Sequence, residues 1–492
     1  MKIAFATSEA VPYSKTGGLA DISGALPDEL ARLGHDVCVF TPYYRAVKKL
    51  DPKARKLSQG FVMVGEESVQ WILYAASANT TDTLKEGRRA KVFFIGCDDY
   101  FDRDGLYGNA KGDYEDNLNR FVFFSRACLA AALAQAYSID IWHCHDWPTA
   151  LIPVFLKLNY AKHPLLSGAA SVFTIHNLSY PGLFWHWSWP LLNLPWQHYN
   201  WKELEFFGKI NLLKGALVYA DQLTTVSPTY SSEIQNTSLG CGLEGVLKER
   251  AADLTGIVNG IDPREWDPAA DALLPANYSA SDLLGKTTCK AALRKRLGLP
   301  ENASAVVGLI GRLVPQKGWE LLALAREELM QREIQIVVLG TGMEKYQELL
   351  KELMAAHPEK VAASFAFDNG LAHLIEAGSD MFLMPSQFEP CGLNQLYSLK
   401  YGTPPIVHDV GGLADTVEDA PEGRQTGFKF KEHTPAALLE TLDRALAVFA
   451  TEPAVWRQIQ LNGMAQDWSW QASAKKYVEV YRKALAKIKA PK

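Results

Sequence analysis

The fold is decided by the opening stretch, MKIAFATSEAVPYSKTGGLADISGALPDELARLGHDVCVF, residues 1–40. Residues 2–8 form an apolar run, a turn follows at Gly17-Gly18, and Ile22, Leu26, Leu30 and Leu33 then recur at helical spacing. GHDVCVF supplies the next strand, so the spacing predicts one strand–helix–strand unit. A parallel pair of strands needs such a crossover, and the alternation continues along the chain. IDIWHC (139–144), SVFTIHN (171–177) and DQLTTVS (221–227) read as further strands with helical stretches between them. A second series begins after TGIVNGIDPREWDP, a segment dense in turn formers. Its strands are SAVVGLIGR (304–312), IQIVVLG (334–340), VAASFAF (361–367), DMFLMPS (380–386) and TPPIVHDV (403–410). The fold class is therefore α/β, with two doubly wound Rossmann-like domains, expected at 1–257 and 258–470. The last helix, 471–492, has no strand after it and could pack back on the N-terminal domain.

At 492 residues the chain exceeds one ordinary core. With 48% hydrophobic and 21% charged residues it has the composition of a globular protein. A net charge of −5 argues against nucleic acid or an anionic membrane as partner, because both require a basic field. Any anionic ligand must be held by local cations. No apolar run reaches the roughly 18 residues that span a bilayer, and the start reads as a strand, not a signal peptide. Seven cysteines without CxxC spacing fit free thiols in a reducing cytoplasm.

Ligands of doubly wound sheets bind at the carboxyl ends of strands, beside helix N-termini. Several polar groups are expected there. GLIGRLVPQKGWE places Arg312 and Lys317 after a strand, and a fork and a point charge of this kind suit phosphate. MPSQFEPCGLNQ puts Glu389 on a loop ahead of Gly392-Leu393, and VFTIHNLSYPG puts His176 and Asn177 at a strand end. GGLAD occurs twice, at 17–21 and 411–415, each copy following a strand and opening a helix. Both copies read as devices that let a ligand approach the backbone. With two such domains, the natural site is the cleft between them.

KTGGLAD, HDW, FTIHNLSYPGLF, GRLVPQKG, PSQFEPCGLNQLYSLKYGTPPIV and GGLADTV, in this order, closely resemble the bacterial glycogen synthase and plant starch synthase family. The resemblance runs from residue 1 to about 485. It implies the GT-B architecture, two Rossmann-like domains facing across a deep cleft. It also implies retaining transfer of glucose from ADP-glucose to the nonreducing end of an α-1,4-glucan, without metal or other cofactor. By resemblance, Arg312, Lys317 and Lys15 meet the diphosphate, helped by Gly17, Gly18 and the loop Gly411, Gly412, Leu413. Glu389 and His176 stand beside the transferred glucose, with Asn259, Cys391, Gly392 and Leu393. Asp21 and Asp146 stand near the acceptor hydroxyl, and Phe367 offers a face to adenine. Three departures concern the nucleotide: Ala366-Phe367 replaces Gly-Tyr, and Gln387 and His408 stand where Arg is frequent. No residue decides ADP-glucose against UDP-glucose. A noncatalytic glucan-binding homologue is the rival reading, and intact Lys15, His176, Arg312, Lys317 and Glu389 count against it. A nicotinamide enzyme would show GxGxxG after the first strand, which SEAVPYSKTGG does not supply.

Other signals are weaker. WHCHDW suggests zinc, but strand alternation lets only His143 and His145 act together and no second cluster is evident. LLGKTT lacks the first P-loop glycine, which would fall at Ala280. Trp185, Trp187, Trp189, Trp196 and Trp201 either pack on their own domain or offer faces to a glucan.

Overall fold

A computed structural model describes residues 1–80, 89–109, 111–420 and 423–489. The chain divides into two compact units. The first comprises Met1–Val226, Ser231–Gly260 and the segment from Trp470 onward; the second comprises Ser227–Tyr230 and Ile261–Ser469.

The first unit is built on a nine-stranded sheet in the order Leu254–Gly256, Gln222–Thr225, Ala170–Ile175, Ile141–His145, Lys2–Ala6, Asp36–Pro42, Lys91–Gly96, Glu67–Ala75, Arg55–Val64. Lys2–Ala6 sits centrally and pairs in parallel on both sides, with Ile3 opposite Val37 and Ile141. The two strands farthest along the Asp36–Pro42 side form an antiparallel hairpin. Sequence reading missed this hairpin because Arg55–Val64 is half exposed and carries no continuous apolar run. It also missed a small antiparallel sheet of Leu183–Trp185, Lys209–Asn211 and Glu205–Phe206. The first helix spans Gly18–Arg32; Ile22, Leu26 and Leu30 are buried, whereas Leu33 caps the end and is exposed. The C-terminal helix Trp470–Lys489 buries Tyr477, Val480, Tyr481 and Ala484 against the first helix and the strand Ala170–Ile175.

The second unit contains six parallel strands in the order Val361–Ser364, Ile334–Leu339, Ala305–Ile310, Met381–Met384, Pro405–His408, Phe428–Phe430. Both faces are covered. Val307, Leu309, Ile336, Val338 and Leu383 enter one core with helices Trp319–Met330 and Pro435–Thr451. Val306, Val337, Leu339, Phe382 and Val407 enter the other with helices Leu284–Leu297 and Asn369–Gly378. Two-sided burial is why these strands read as continuous apolar runs. In that second core Trp266 lies flat between His373 and Tyr397, with ring centroids 3.9 and 3.7 Å away. Behind it Asp271 accepts hydrogen bonds from His373 Nδ1 (2.7 Å) and the Tyr401 hydroxyl (2.6 Å).

In both sheets, parallel strands run outward from the first strand in two directions, and the reversal point lies beside that strand. It falls between Lys2–Ala6 and Ile141–His145 in one unit, and between Ala305–Ile310 and Met381–Met384 in the other. Such switch points leave a crevice at the strand carboxyl ends.

Removing the Trp266 plate opens a large cavity over a buried acid. Trp266→Ala is expected to cost roughly 3–5 kcal/mol in urea unfolding followed by circular dichroism, and a loss below about 1 kcal/mol would contradict this packing account.

Candidate active site

In the second unit two chain segments leave the switch point together. From Ala305–Ile310 the chain passes Gly311 and Arg312 into the turn Pro315–Lys317, closed by Gly318. Gly318 has φ +79°, and a Cβ there would lie 1.9 Å from the Pro385 carbonyl oxygen, so no other residue fits. From Met381–Met384 the chain passes Ser386 and Gln387 to Glu389. The segments are joined by Gln387 N donating to Gln316 O (2.9 Å) and Gln316 Nε2 donating to Phe388 O (3.2 Å). This places Lys317 Nζ 2.5 Å from Glu389 Oε2, which also accepts from Ser386 Oγ at 2.9 Å. Glu389 is only 5% exposed. The Arg312 guanidinium is exposed, with no ion-pair or hydrogen-bond partner among the described residues. Phe367 is 89% exposed, a free aromatic face.

The second GGLAD copy lies against the Glu389 loop. Gly412 N donates to Glu389 O at 3.0 Å, and a Cβ on Gly412 would meet the Cys391 carbonyl oxygen at 2.1 Å. Leu413 N donates to Val410 O, and the Leu413 side chain is fully buried. Gly392 has φ +76°, which lets the chain turn beneath Gln395. Cys391 is buried, and Leu393 precedes the helix Asn394–Lys400. His408 points inward: Nδ1 lies 2.8 Å from Ser386 O and Nε2 lies 3.1 Å from Lys431 O. Its ring therefore ties three strand ends together.

In the first unit the KTGGLAD loop is anchored by Glu9, an acid that sequence reading did not single out. The buried Glu9 carboxylate accepts from Thr16 N (2.5 Å), Thr16 Oγ1 (2.6 Å), Gly17 N (3.3 Å) and the Tyr107 hydroxyl (2.8 Å). Its only advance signal is a lone acid just past the first strand, before a loop whose amides need acceptors. Lys15 Nζ lies 2.7 Å from Asp21 Oδ1. Burial raises the Asp21 carboxyl above its usual range, and Lys15 partly offsets that. Gly17 has an extended φ of −161°, and a Cβ there would meet nothing within 4 Å. Nothing in the unit itself requires glycine at this position, in contrast to Gly412. The two GGLAD copies thus solve different problems: the second is a packing requirement, while the first leaves open space at the head of a fifteen-residue helix. The Gly18 amide stands at that helix start, where anions are favoured.

Asp146 follows the strand Ile141–His145 with φ +54° and ψ −179°, a region that costs a side-chain-bearing residue about 1–3 kcal/mol. Its carboxylate accepts from His176 N at 2.8 Å. Burial pushes this carboxyl up to about 7, opposed by the His176 amide and reinforced by Glu9. Burial pushes the His176 imidazole down to about 3, so the ring is neutral at ordinary pH. Its Nε2 lies 3.0 Å from Nδ1 of His145. Asn259 is buried, and its Oδ1 has no partner among the described residues. No group of three His, Cys, Asp or Glu among the described residues is arranged to hold a metal. Trp189 is buried, whereas Trp185, Trp187, Trp196 and Trp201 are exposed.

Two Rossmann-like units, with cations, glycine-headed loops and a buried acid gathered at their switch points, define the class: glycosyltransferases of the GT-B architecture. The family model "Starch synthase catalytic domain" matches residues 2–249, and "Glycosyl transferases group 1" matches 290–448. Glycogen synthase from Koribacter versatilis (strain Ellin345) is 47% identical, covering 100% of this chain and 99% of the relative. That from Anaeromyxobacter sp. (strain Fw109-5) is 47% identical, covering 99% and 100%. The solved catalytic domain of starch synthase IV from Arabidopsis thaliana, bound to ADP and acarbose, matches with a TM-score of 0.86 at 32% identity over 99% of each chain. Sucrose-phosphate synthase from Thermosynechococcus elongatus, with a TM-score of 0.60 at 18% identity over 99% of each chain, shares the fold. The chain belongs to the glycogen synthase family.

Two outcomes test this geometry. Gly412→Ala is expected to lose roughly 1–3 kcal/mol of stability through overpacking, whereas Gly17→Ala shifts the melting temperature by no more than about 2 °C; equal effects would contradict the distinction. An unfolded aspartate ionises near its ordinary 3.8, while folded Asp146 keeps its proton to about 7. Its stabilising contribution is complete below the first value and lost as pH rises through the second. Asp146→Asn should therefore flatten the decline of the urea midpoint across this window, and an unchanged slope would count against the assignment.

Proposed function

We propose that this chain lengthens an α-1,4-glucan at its nonreducing end, taking glucose from ADP-glucose with retention and releasing ADP. Membership of the glycogen synthase family supports glucan elongation by glucosyl transfer. The single observation that carries the reading is the Lys317–Glu389 pair at the second switch point, with an unengaged Arg312 on the adjoining segment.

In this proposal Arg312 and Lys317 take the diphosphate, where negative charge grows as the bond between glucose C1 and the phosphate oxygen breaks. Each charge-assisted bond is worth roughly 1.5–3 kcal/mol, and more if it strengthens in the transition state. Lys15 and the Gly18 amide contribute from the first unit. The Gly411–Gly412–Leu413 loop acts chiefly by holding the Glu389 backbone, since the Gly412 and Leu413 amides already donate within the unit. Glu389 accepts hydrogen bonds from glucose hydroxyls, with Cys391, Gly392 and Leu393 shaping the wall. His176 and Asn259 meet the sugar from the first unit, and the unpartnered Asn259 oxygen suits a hydroxyl donor. Phe367 stacks on the base. A new bond forms between C1 and the acceptor oxygen, whose proton leaves with the products. Asp146, titrating near neutrality, is able to exchange that proton. Exposed Trp185, Trp187, Trp196 and Trp201 offer faces on which glucan rings can lie.

Because side chains and amides supply the positive charge, the proposal requires no metal ion or organic cofactor. We place the reaction in the cytoplasm: the seven cysteines are free, and no described helix is long and apolar enough to cross a membrane.

Labelled glucose should enter glycogen from ADP-glucose faster than from UDP-glucose, with no loss in EDTA. Preference for UDP-glucose would overturn the donor assignment, and incorporation from neither would overturn the function. Lys317→Ala should lower kcat by roughly 10²–10³-fold, and a loss under about threefold would remove it from the reaction.

A further inference from the structure

His143 and His145 project from one strand into the core of the first unit, both fully buried, with ring centroids 4.2 Å apart. His143 is satisfied at both nitrogens: Nδ1 lies 2.8 Å from the Tyr481 hydroxyl and Nε2 lies 2.6 Å from Thr174 Oγ1. His145 is not. Its Nδ1 lies 3.0 Å from His176 Nε2, while its own Nε2 is buried with no hydrogen-bond partner among the described residues. Phe5 stacks on the ring at 5.3 Å and 18°, and His143 packs beside it.

One proton serves the contact between His145 and His176, and two neutral arrangements are available. If His176 Nε2–H donates, His145 Nδ1 accepts, and His145 must carry its own proton on Nε2. That N–H is then sealed in the core without an acceptor. If His145 Nδ1–H donates, only a lone pair is left unused at His145 Nε2, and His176 carries its proton on Nδ1. Buried N–H groups without acceptors are rarer than under-used acceptors, so the second arrangement is favoured. A charged ring is no alternative, because burial lowers the basicity of both histidines.

We propose that His145 is a positioning residue: its Nδ1–H fixes the ring of His176 and leaves His176 with a hydrogen-bond donor at Nδ1. The sugar oxygen that meets this nitrogen is therefore an acceptor. The role rests on the reading of His176 as a contact to the transferred glucose. It also gives the C-terminal helix a purpose beyond packing: Tyr481 holds His143, and His143 backs His145.

The proton is observed directly by long-range ¹H–¹⁵N NMR of the full chain labelled at histidine, with His176 assigned from the signals lost in His176→Ala. Between about pH 5.5 and 8.5 His176 should show a protonated Nδ1 and a bare Nε2 throughout. Protonation at Nε2, or titration within that range, would overturn the proposal. Two variants test the consequence. His145→Asn keeps an amide N–H near the Nδ1 position, and His145→Phe keeps the ring without a donor. The Asn variant should hold kcat within about threefold. The Phe variant should lose about tenfold or more in kcat, with a smaller change in KM for ADP-glucose and a mixed tautomer at His176. Equal losses in both variants, or wild-type kcat and tautomer in the Phe variant, would overturn it. The NMR result needs no turnover, so a chain inactive with ADP-glucose would sink the proposed function and leave the tautomer to be judged separately.

Discussion

A carboxylate buried as deeply as Glu389 requires a counter-charge, and Lys317 supplies it at 2.5 Å. Breaking a buried pair by removing one partner typically costs about 3–5 kcal/mol, so a ligand that draws Lys317 away must also satisfy the acid left behind. ADP-glucose has the chemistry for both tasks: its diphosphate attracts the lysine, and its glucose hydroxyls donate to the carboxylate. A diphosphate alone shares the three-donor Lys317 ammonium with Glu389. The first unit uses the same device less deeply, with Lys15 resting on Asp21 at 2.7 Å. Each unit therefore keeps its movable cation oriented by an acid that also belongs to the proposed site. Arg312, with no such partner among the described residues, is a cation available at once.

The backbone that presents these groups is held by constraints that do not themselves touch a ligand. Gly318 passes so close to Pro385 that only glycine fits, and this approach brings Lys317 over Glu389. Gly412 sits as tightly against Cys391, which fixes the far side of the same loop. In the first unit one buried acid, Glu9, gathers the Thr16 and Gly17 amides and so sets where Lys15 begins. Rigid loops hold the side chains, and the side chains carry the charge.

Most central strands were legible because burial on both faces makes them mainly apolar, as in Lys2–Ala6 and Ala305–Ile310. Site positions followed from them, since parallel strands deliver the residues after their carboxyl ends to one edge. Arg312, Lys317, Glu389, His176 and Asp146 all lie at such ends. The edge hairpin Arg55–Val64 with Glu67–Ala75 escaped because half its residues face solvent. Glu9, and the contact of His145 with His176, escaped for another reason: each depends on partners distant in sequence, Tyr107 for one and His176 for the other. The repeated GGLAD misled in part, because identical letters do not reveal whether a glycine is needed for a ligand or for a neighbouring carbonyl. His408, noted as standing where Arg is frequent, ties Ser386 to Lys431.

The central proposal is that the pyrophosphate of ADP-glucose draws on basic groups from both units. Calorimetric titration of ADP and AMP into the wild-type chain, Lys15→Ala and Lys317→Ala tests it most directly. The account predicts that ADP binds the wild type at least about tenfold more tightly than AMP, a difference of about 1.4 kcal/mol, and that each substitution shrinks this advantage. An ADP-to-AMP ratio left unchanged by either substitution would show that its unit does not touch the second phosphate, and would contradict the account.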